Sequence, residues 1–410
     1  MPYNLNSPSF RDEFPALNQT VGTKSAPLNY LDSAATSLKP RQVIEAVSNF
    51  YAFHGGSAGR GSHSLATYAD GVVEETRAKV LEFTNASSSK YSAIFTSGAT
   101  ESLNMVANTV AAKPGQNIIL TKAEHHANIV PWQMRAKAVG DVEIRYLDVN
   151  DAGEIRFDTL SNLVDSSTAV ISFTHASNVT GVVSDFSWIQ SVREKFPDVI
   201  IVLDACQSVA HLPLQLDTSG VDLCAFSAHK MYGPSGLGIL IGKNSLLEQL
   251  PPFQTGGGIV EYVGEYSTTF MPPPTRFEPG SINTANIAGL GAAIDFIGDI
   301  GWGNITTHEE MLKKRLFELE GIDGVRILGS SQKRLGLASF TVGGIHPHDL
   351  GQYLDEQGLE LRTGHHCAQL LHRHFKVSSS TRASIGLYST PPEIEHLIDS
   401  IIGAKRFFNA

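Results

Sequence analysis

Residues 223–238 read LCAFSAHKMYGPSGLG, and residues 199–207 upstream read VIIVLDACQ. Each stretch begins as an unbroken apolar run, short and rich in residues that suit a buried strand. Each then breaks into polar residues: Ser-x-His-Lys followed by Gly and Pro in one, Asp-x-Cys-Gln in the other. Lys230 and Asp204 therefore emerge from the exits of two strands, at the same edge of one sheet. Similar runs, SAIFT, NIILT, EIRYLDV, AVISFT and GILIG, recur between residues 92 and 242. Segments of helical period separate them, among them ESLNMVANTVAA and IVPWQMRAKAVG. Buried strands alternating with helices predict an α/β fold whose seven-stranded sheet is mostly parallel and covered on both faces. Ligands in such sheets bind beyond the carboxyl ends of the strands.

A lysine amine at that edge can form a Schiff base with an aldehyde cofactor. An acid beside it can keep a ring nitrogen protonated, and pyridoxal 5'-phosphate needs both groups. Other strand ends carry fitting residues. Ser97-Gly98-Ala99-Thr100 lies between a strand and a helix, where free amides favour a phosphate; a simple helix cap is the alternative. His125 and His126 follow the next strand, and one imidazole could stack on a ring and move protons while the other caps a helix. Asn178 in THASNVTG and Gln207 in DACQS can bond a ring oxygen or a substrate carboxylate. Ser227 and His229, flanking Lys230, can reach a phosphate.

The chain has 410 residues, 42% hydrophobic and 18% charged, which suits a folded enzyme of two domains. We expect a large domain over 26–298, with 1–25 and 299–410 forming a smaller α/β unit. The smaller unit is marked by the strand candidates LASFTV, LELRT and RASIGL and by helices near HPHDLGQYLDEQG and PPEIEHLIDSIIGAKRFF. MPPPTRFEPGS, residues 271–281, reads as an ordered connecting loop. A net charge of −10 argues against a nucleic-acid binder. Neither a membrane span nor a targeting segment is read from the sequence, so a cytoplasmic protein is expected. Three cysteines cannot build a disulfide framework. Cys206 and Cys224, in apolar runs, read as core residues, whereas Cys367 sits in TGHHCAQ beside two histidines. HHC lacks a second cluster at structural spacing, so no metal site is expected.

Taken in order, SGATES, EHHANIVPW, SNVTG, DACQ, SAHKMYGPSGLGIL, GGG, RFEPGSINT, LRTGHHCA and TRASIGLY resemble the group II cysteine desulfurases of SufS/CsdA type. These are class V aminotransferases with the fold type I pyridoxal phosphate architecture. The likeness runs from FRDEFPAL to the last helix. It implies that Lys230 carries the cofactor, Asp204 holds its ring nitrogen and His125 stacks on its ring and donates protons. Gln207 and Asn178 would contact the ring oxygen and substrate, and Ala99, Thr100, Ser227 and His229 would form the phosphate site. Arg382 would clamp the substrate carboxylate, and Cys367 would carry sulfur as a persulfide. His365 and His366 are candidates to touch that thiol. A homodimer is implied, with Ser281 in a loop that completes the partner's phosphate site.

The implied reaction converts L-cysteine to L-alanine and passes sulfur to a SufE- or CsdE-like acceptor for iron–sulfur cluster assembly or other sulfur metabolism. L-Selenocysteine or cysteine sulfinate could be handled on the same scaffold, and a non-catalytic sulfur carrier is the alternative of another class. The chain departs from the common pattern in three places. Ala58-Gly59-Arg60-Gly61-Ser62-His63 stands where Val-His-Arg-Gly is frequent, Ala99 replaces a threonine, and Leu370 replaces a proline.

Overall fold

The computed structural model describes residues 4–410 except 6, 24, 60 and 111, so Arg60 of the Ala58–His63 stretch lies outside the described residues. The expected strands form as β1 (Tyr91–Thr96), β2 (Asn117–Thr121), β3 (Glu143–Leu147), β4 (Thr168–Thr174), β5 (Ile200–Asp204), β6 (Leu223–Ser227) and β7 (Gly238–Lys243). They make one seven-stranded sheet in the order β1-β7-β6-β5-β4-β2-β3. β7 runs antiparallel to both its neighbours, and the remaining pairings are parallel. Register places Thr174 opposite Asp204 and Asp204 opposite Ala225, so consecutive strand exits align.

Both faces of the sheet are covered. Ile201, Val202 and Leu203 of β5 are fully buried, although alternate side chains point to opposite faces. Each such side chain contributes about 1.5–3 kcal/mol through burial. Helices α1 (Arg41–Phe53), α2 (Ser64–Phe83), α3 (Ala99–Thr109) and α4 (Val130–Val139) join the layers. The helix Thr284–Ile300 is apolar on nearly every side and buried along most of its length. A helix of that composition belongs in an interior.

A second, antiparallel sheet has four strands: β8 (Val325–Ile327), β9 (Leu337–Val342), β10 (Arg362–Gly364) and β11 (Ser380–Ser384), in the order β8-β9-β11-β10. Here LELRT is not one strand. Leu359–Glu360 pairs in parallel with Asn29–Tyr30, and after Leu361 the chain joins β11 instead. RASIGL is likewise shortened, since β11 ends at Ser384. The last helix, Pro391–Phe408, opens with a capping box between Thr390 and Glu393. Arg11 adds a bidentate pair to Glu393 (2.9 and 3.0 Å). Phe14 packs edge-on against Tyr388 (4.9 Å), Phe296 (5.7 Å) and Tyr232 (6.2 Å), joining the N-terminal segment to the helix Thr284–Ile300 and to the residues that follow β6 and β11. Among the described residues, no helix is long and apolar enough to cross a membrane.

The segment 271–281 is tied down by Glu278. Its carboxylate takes two bonds from Arg77 (2.8 and 3.0 Å) and one from the Phe95 amide (2.8 Å). Both charged partners are nearly buried, and the Arg77 guanidinium lies over the Phe95 ring. Removing one member of such a pair leaves a desolvated charge. We expect Glu278→Ala to lower unfolding stability by about 3–5 kcal/mol in urea titration, and a loss below about 1 kcal/mol contradicts this role.

Candidate active site

A cavity of about 210 Å³ opens at the carboxyl edge of the large sheet. Lys230, Asp204, Gln207, Ser227, His229, Asn178, His125, Ala99, Thr100, Arg382 and Cys367 all line it. Ser281 does not: it is exposed, in the loop before helix Thr284–Ile300.

Lys230 closes a single 3-10 turn, Ala228–Lys230, directly after β6. The turn is gripped from residues 36–39. The His229 carbonyl accepts from the Ser37 amide (3.0 Å) and from Lys39 Nζ (2.7 Å). Among the described residues Lys39 has no acidic partner there, and burial pushes its amine down to about 7. Asp204 Oδ1 accepts from the Cys206 amide (2.9 Å). Cys206 itself lines the cavity, which corrects its reading as an ordinary core residue: it lies just beyond the end of β5, and only Cys224, inside β6, is buried in the core. Burial, and then Asp204, push the Cys206 thiol well up, so it stays protonated. Gln207 Nε2 donates to the Ala34 carbonyl (2.9 Å).

The helix α3 is capped without a side chain of its own, at Gly98. Ser227 Oγ accepts from the Ala99 amide (2.8 Å), so one first-turn donor is used by the strand that leads to Lys230. The next first-turn amides have no intrahelical acceptor and remain available to an anion. A Cβ on Gly238 would come within 2.3–2.4 Å of Gly98, so glycine there lets the loop sit against β7.

His125 Nδ1 accepts from the Ala127 amide (3.1 Å), leaving hydrogen on Nε2. Burial first, and Lys230 second, push this imidazole down to about 4, so it is neutral at pH 7. His229 is pushed down to about 4 for the same reasons. Behind His125, Glu124 is fully buried and takes bonds from Thr121 Oγ1 (2.6 Å), Asn128 Nδ2 (2.7 Å) and the Thr174 amide (2.9 Å). Burial outweighs those donors and pushes its carboxyl up to about 8. Glu124 joins the ends of β2 and β4, a role that its place in EHHAN does not reveal.

Arg382, in β11, is 2% exposed. Its Nη2 meets Asp32 Oδ1 (2.9 Å), Nη1 donates to the Asn178 carbonyl (3.0 Å), and Nε is buried with no protein partner. Asn178 Nδ2 donates to the His366 carbonyl (2.5 Å), so one residue supports both Arg382 and the Cys367 loop. Cys367 is exposed, His366 is buried and lines the cavity beside it, and His365 is exposed and does not line it. Arg362, at the start of β10, also lines the cavity. Sequence reasoning missed it, although LRTGHHC puts it near the cysteine.

These groups fit pyridoxal phosphate. A lysine amine, a carboxylate oxygen, a helix start with Ser227 and His229, and an unpartnered Arg382 Nε converge on one cavity.

Outside the cavity, His175 is buried with Nδ1 unpartnered, and burial pushes it down to about 4. The unfolded chain takes this proton near pH 6.5, so stability is lost as pH falls from about 6.5 to 4. The contribution amounts to as much as about 3 kcal/mol. His175→Phe should flatten the pH dependence of urea unfolding across that window, and an unchanged slope contradicts the assignment.

Comparison with known proteins agrees in family and in fold. The family model described as aminotransferase class-V matches residues 29–397. A protein of Streptomyces coelicolor named "Probable cysteine desulfurase" is 40% identical over 425 residues, covering 100% of this chain and 99% of that protein. A cysteine desulfurase of Yersinia pseudotuberculosis is 40% identical over 393 residues, 95% of each chain. The crystal structure of cysteine desulfurase CsdA from Escherichia coli superimposes with a TM-score of 0.88 at 32% identity, covering 99% of this chain and 100% of that one. The apo cysteine desulfurase from Thermococcus onnurineus gives 0.91 at 30% identity, covering 98% and 99%.

Proposed function

Because the chain belongs to the aminotransferase class-V family and, within it, to the cysteine desulfurases, we propose that it takes sulfur from L-cysteine onto Cys367 and releases L-alanine. The observation that carries this reading is a single cavity lined by Lys230, Asp204, Arg382 and Cys367. Lysine and aspartate alone would serve any pyridoxal phosphate enzyme; the cysteine adds a sulfur nucleophile.

Pyridoxal phosphate, when bound, supplies an aldehyde for the substrate amine and a ring that withdraws electrons from its Cα. Asp204 would keep the ring nitrogen protonated, and the start of α3, with Ser227 and His229, would hold the phosphate. Arg382 takes the substrate carboxylate, for which its fork of donors is suited. The Lys230 amine would serve as the base for the Cα proton. His125, neutral and carrying hydrogen on Nε2, lines the same cavity and would serve there as a proton donor. Cys367 reacts as its thiolate: Sγ bonds to the substrate sulfur, the bond from that sulfur to Cβ breaks, and the carbon fragment is protonated to alanine.

Cys367 is exposed, so a small SufE- or CsdE-like acceptor can reach the persulfide. A homodimer is part of this reading, with the exposed Ser281 loop completing the phosphate site of the second copy. A cytoplasmic setting suits the free thiols.

Cys367→Ser should lower L-cysteine turnover by at least about a hundredfold while the visible absorbance of the cofactor remains. Lys230→Ala should abolish that absorbance. Undiminished L-cysteine turnover in Cys367→Ser would overturn the persulfide step.

A further inference from the structure

The turn that carries Cys367 has an unusual backbone. His366 and Cys367 both have positive φ, 50° and 56°, where a residue with a Cβ is disfavoured. Consecutive residues of that kind persist only where their surroundings over-determine them. Besides the bond from Asn178, two sets of hydrogen bonds hold this turn.

The first comes from the loop after β2. The His126 amide donates to the Cys367 carbonyl (2.8 Å), and His126 Nε2 accepts from the Gln369 amide (3.2 Å). The loop is thereby bonded on either side of Ala368.

The second is a chain of three buried side chains. His372 Nδ1 bonds the Ala368 carbonyl (3.0 Å), so this nitrogen carries the hydrogen. Its Nε2 is then an acceptor and takes the hydroxyl hydrogen of Ser380 (3.0 Å). Ser380 Oγ in turn accepts from His366 Nε2 (2.9 Å). One carbonyl thus fixes the tautomer of both imidazoles. His366, Ser380 and His372 are at most 5% exposed, and burial holds both rings neutral.

We propose that His126, His372 and Ser380 are positioning residues that hold the left-handed His366–Cys367 turn over the cavity, so that their loss slows sulfur capture and spares the cofactor-side chemistry. None of the three lines the cavity. The inference rests on the reading of Cys367 as the sulfur acceptor. Nucleophilic attack is steep in distance: a displacement of about 1 Å costs on the order of a hundredfold in rate. Asn178 also bonds this turn, but it supports Arg382 too and cannot separate the two roles.

The test uses the holoenzyme and the variants His126→Phe, His372→Phe, Ser380→Ala and Ser380→Thr. Two rates are compared. One is kcat for L-cysteine, which needs Cys367. The other is exchange of the Cα hydrogen of L-alanine with deuterated water, which needs Lys230 and the cofactor but no thiol. In the first three variants kcat should fall roughly tenfold, while exchange and the cofactor absorbance stay within about twofold. Ser380→Thr keeps the hydroxyl and should recover most of the lost rate. Unchanged kcat in all three, or a parallel fall in exchange, overturns the proposal. Failure of the underlying reading looks different: Cys367→Ser would then process L-cysteine as well as the parent does.

Discussion

A guanidinium buried between two sheets is the constraint around which the site is organised. Arg382 cannot shed its charge, and burying it is costly unless its donors are met. Asp32 on the N-terminal segment meets one, and the carbonyl of Asn178, after β4, meets another. The arginine therefore fixes the smaller sheet against the larger one at the point where the cavity lies. Burial pushes the Asp32 carboxyl up, against the pull of Arg382. Among the described residues Nε has no partner, so the group that holds the sheets together keeps one donor unused.

The parallel order of β2, β4, β5 and β6 explains why so many reactive residues converge. Each strand runs the same way, so each exits at the same edge, and His125, Asn178, Gln207 and Lys230 follow successive exits. What the sheet does not supply comes from elsewhere. The turn of Lys230 is gripped by residues 36–39, and Cys367 is brought over the cavity from the second sheet. The cavity is built at the joint, and its nucleophile reaches across it.

Much of this could be read along the chain. The seven strands of the large sheet were visible because buried parallel strands are continuous apolar runs ended by polar residues. The cofactor groups were visible because strand exits can be located from those runs. Contacts between distant segments were not. LELRT looks like one strand, yet it divides because Leu359–Glu360 finds its partner at Asn29–Tyr30. Cys206 looked like core because it follows an apolar run, but one residue past Ala205 it already faces the cavity. Glu124 and Lys39 gave no local signal, since burial or cleft position is a property of the assembled fold, whereas Arg362 had one in its nearness to Cys367. The link from Ala368 through His372 and Ser380 to His366 depends on tautomers that only the geometry assigns.

The proposed function requires that Cys367 receive the substrate sulfur. The most direct measurement adds one equivalent of L-cysteine to the holoenzyme without acceptor or reductant, then combines peptide mass analysis with quantification of alanine. One extra sulfur atom on the peptide containing Cys367, matched by one equivalent of alanine, is the expected result. Alanine formed while Cys367 stays unmodified, or sulfur found on Cys206 instead, would contradict it.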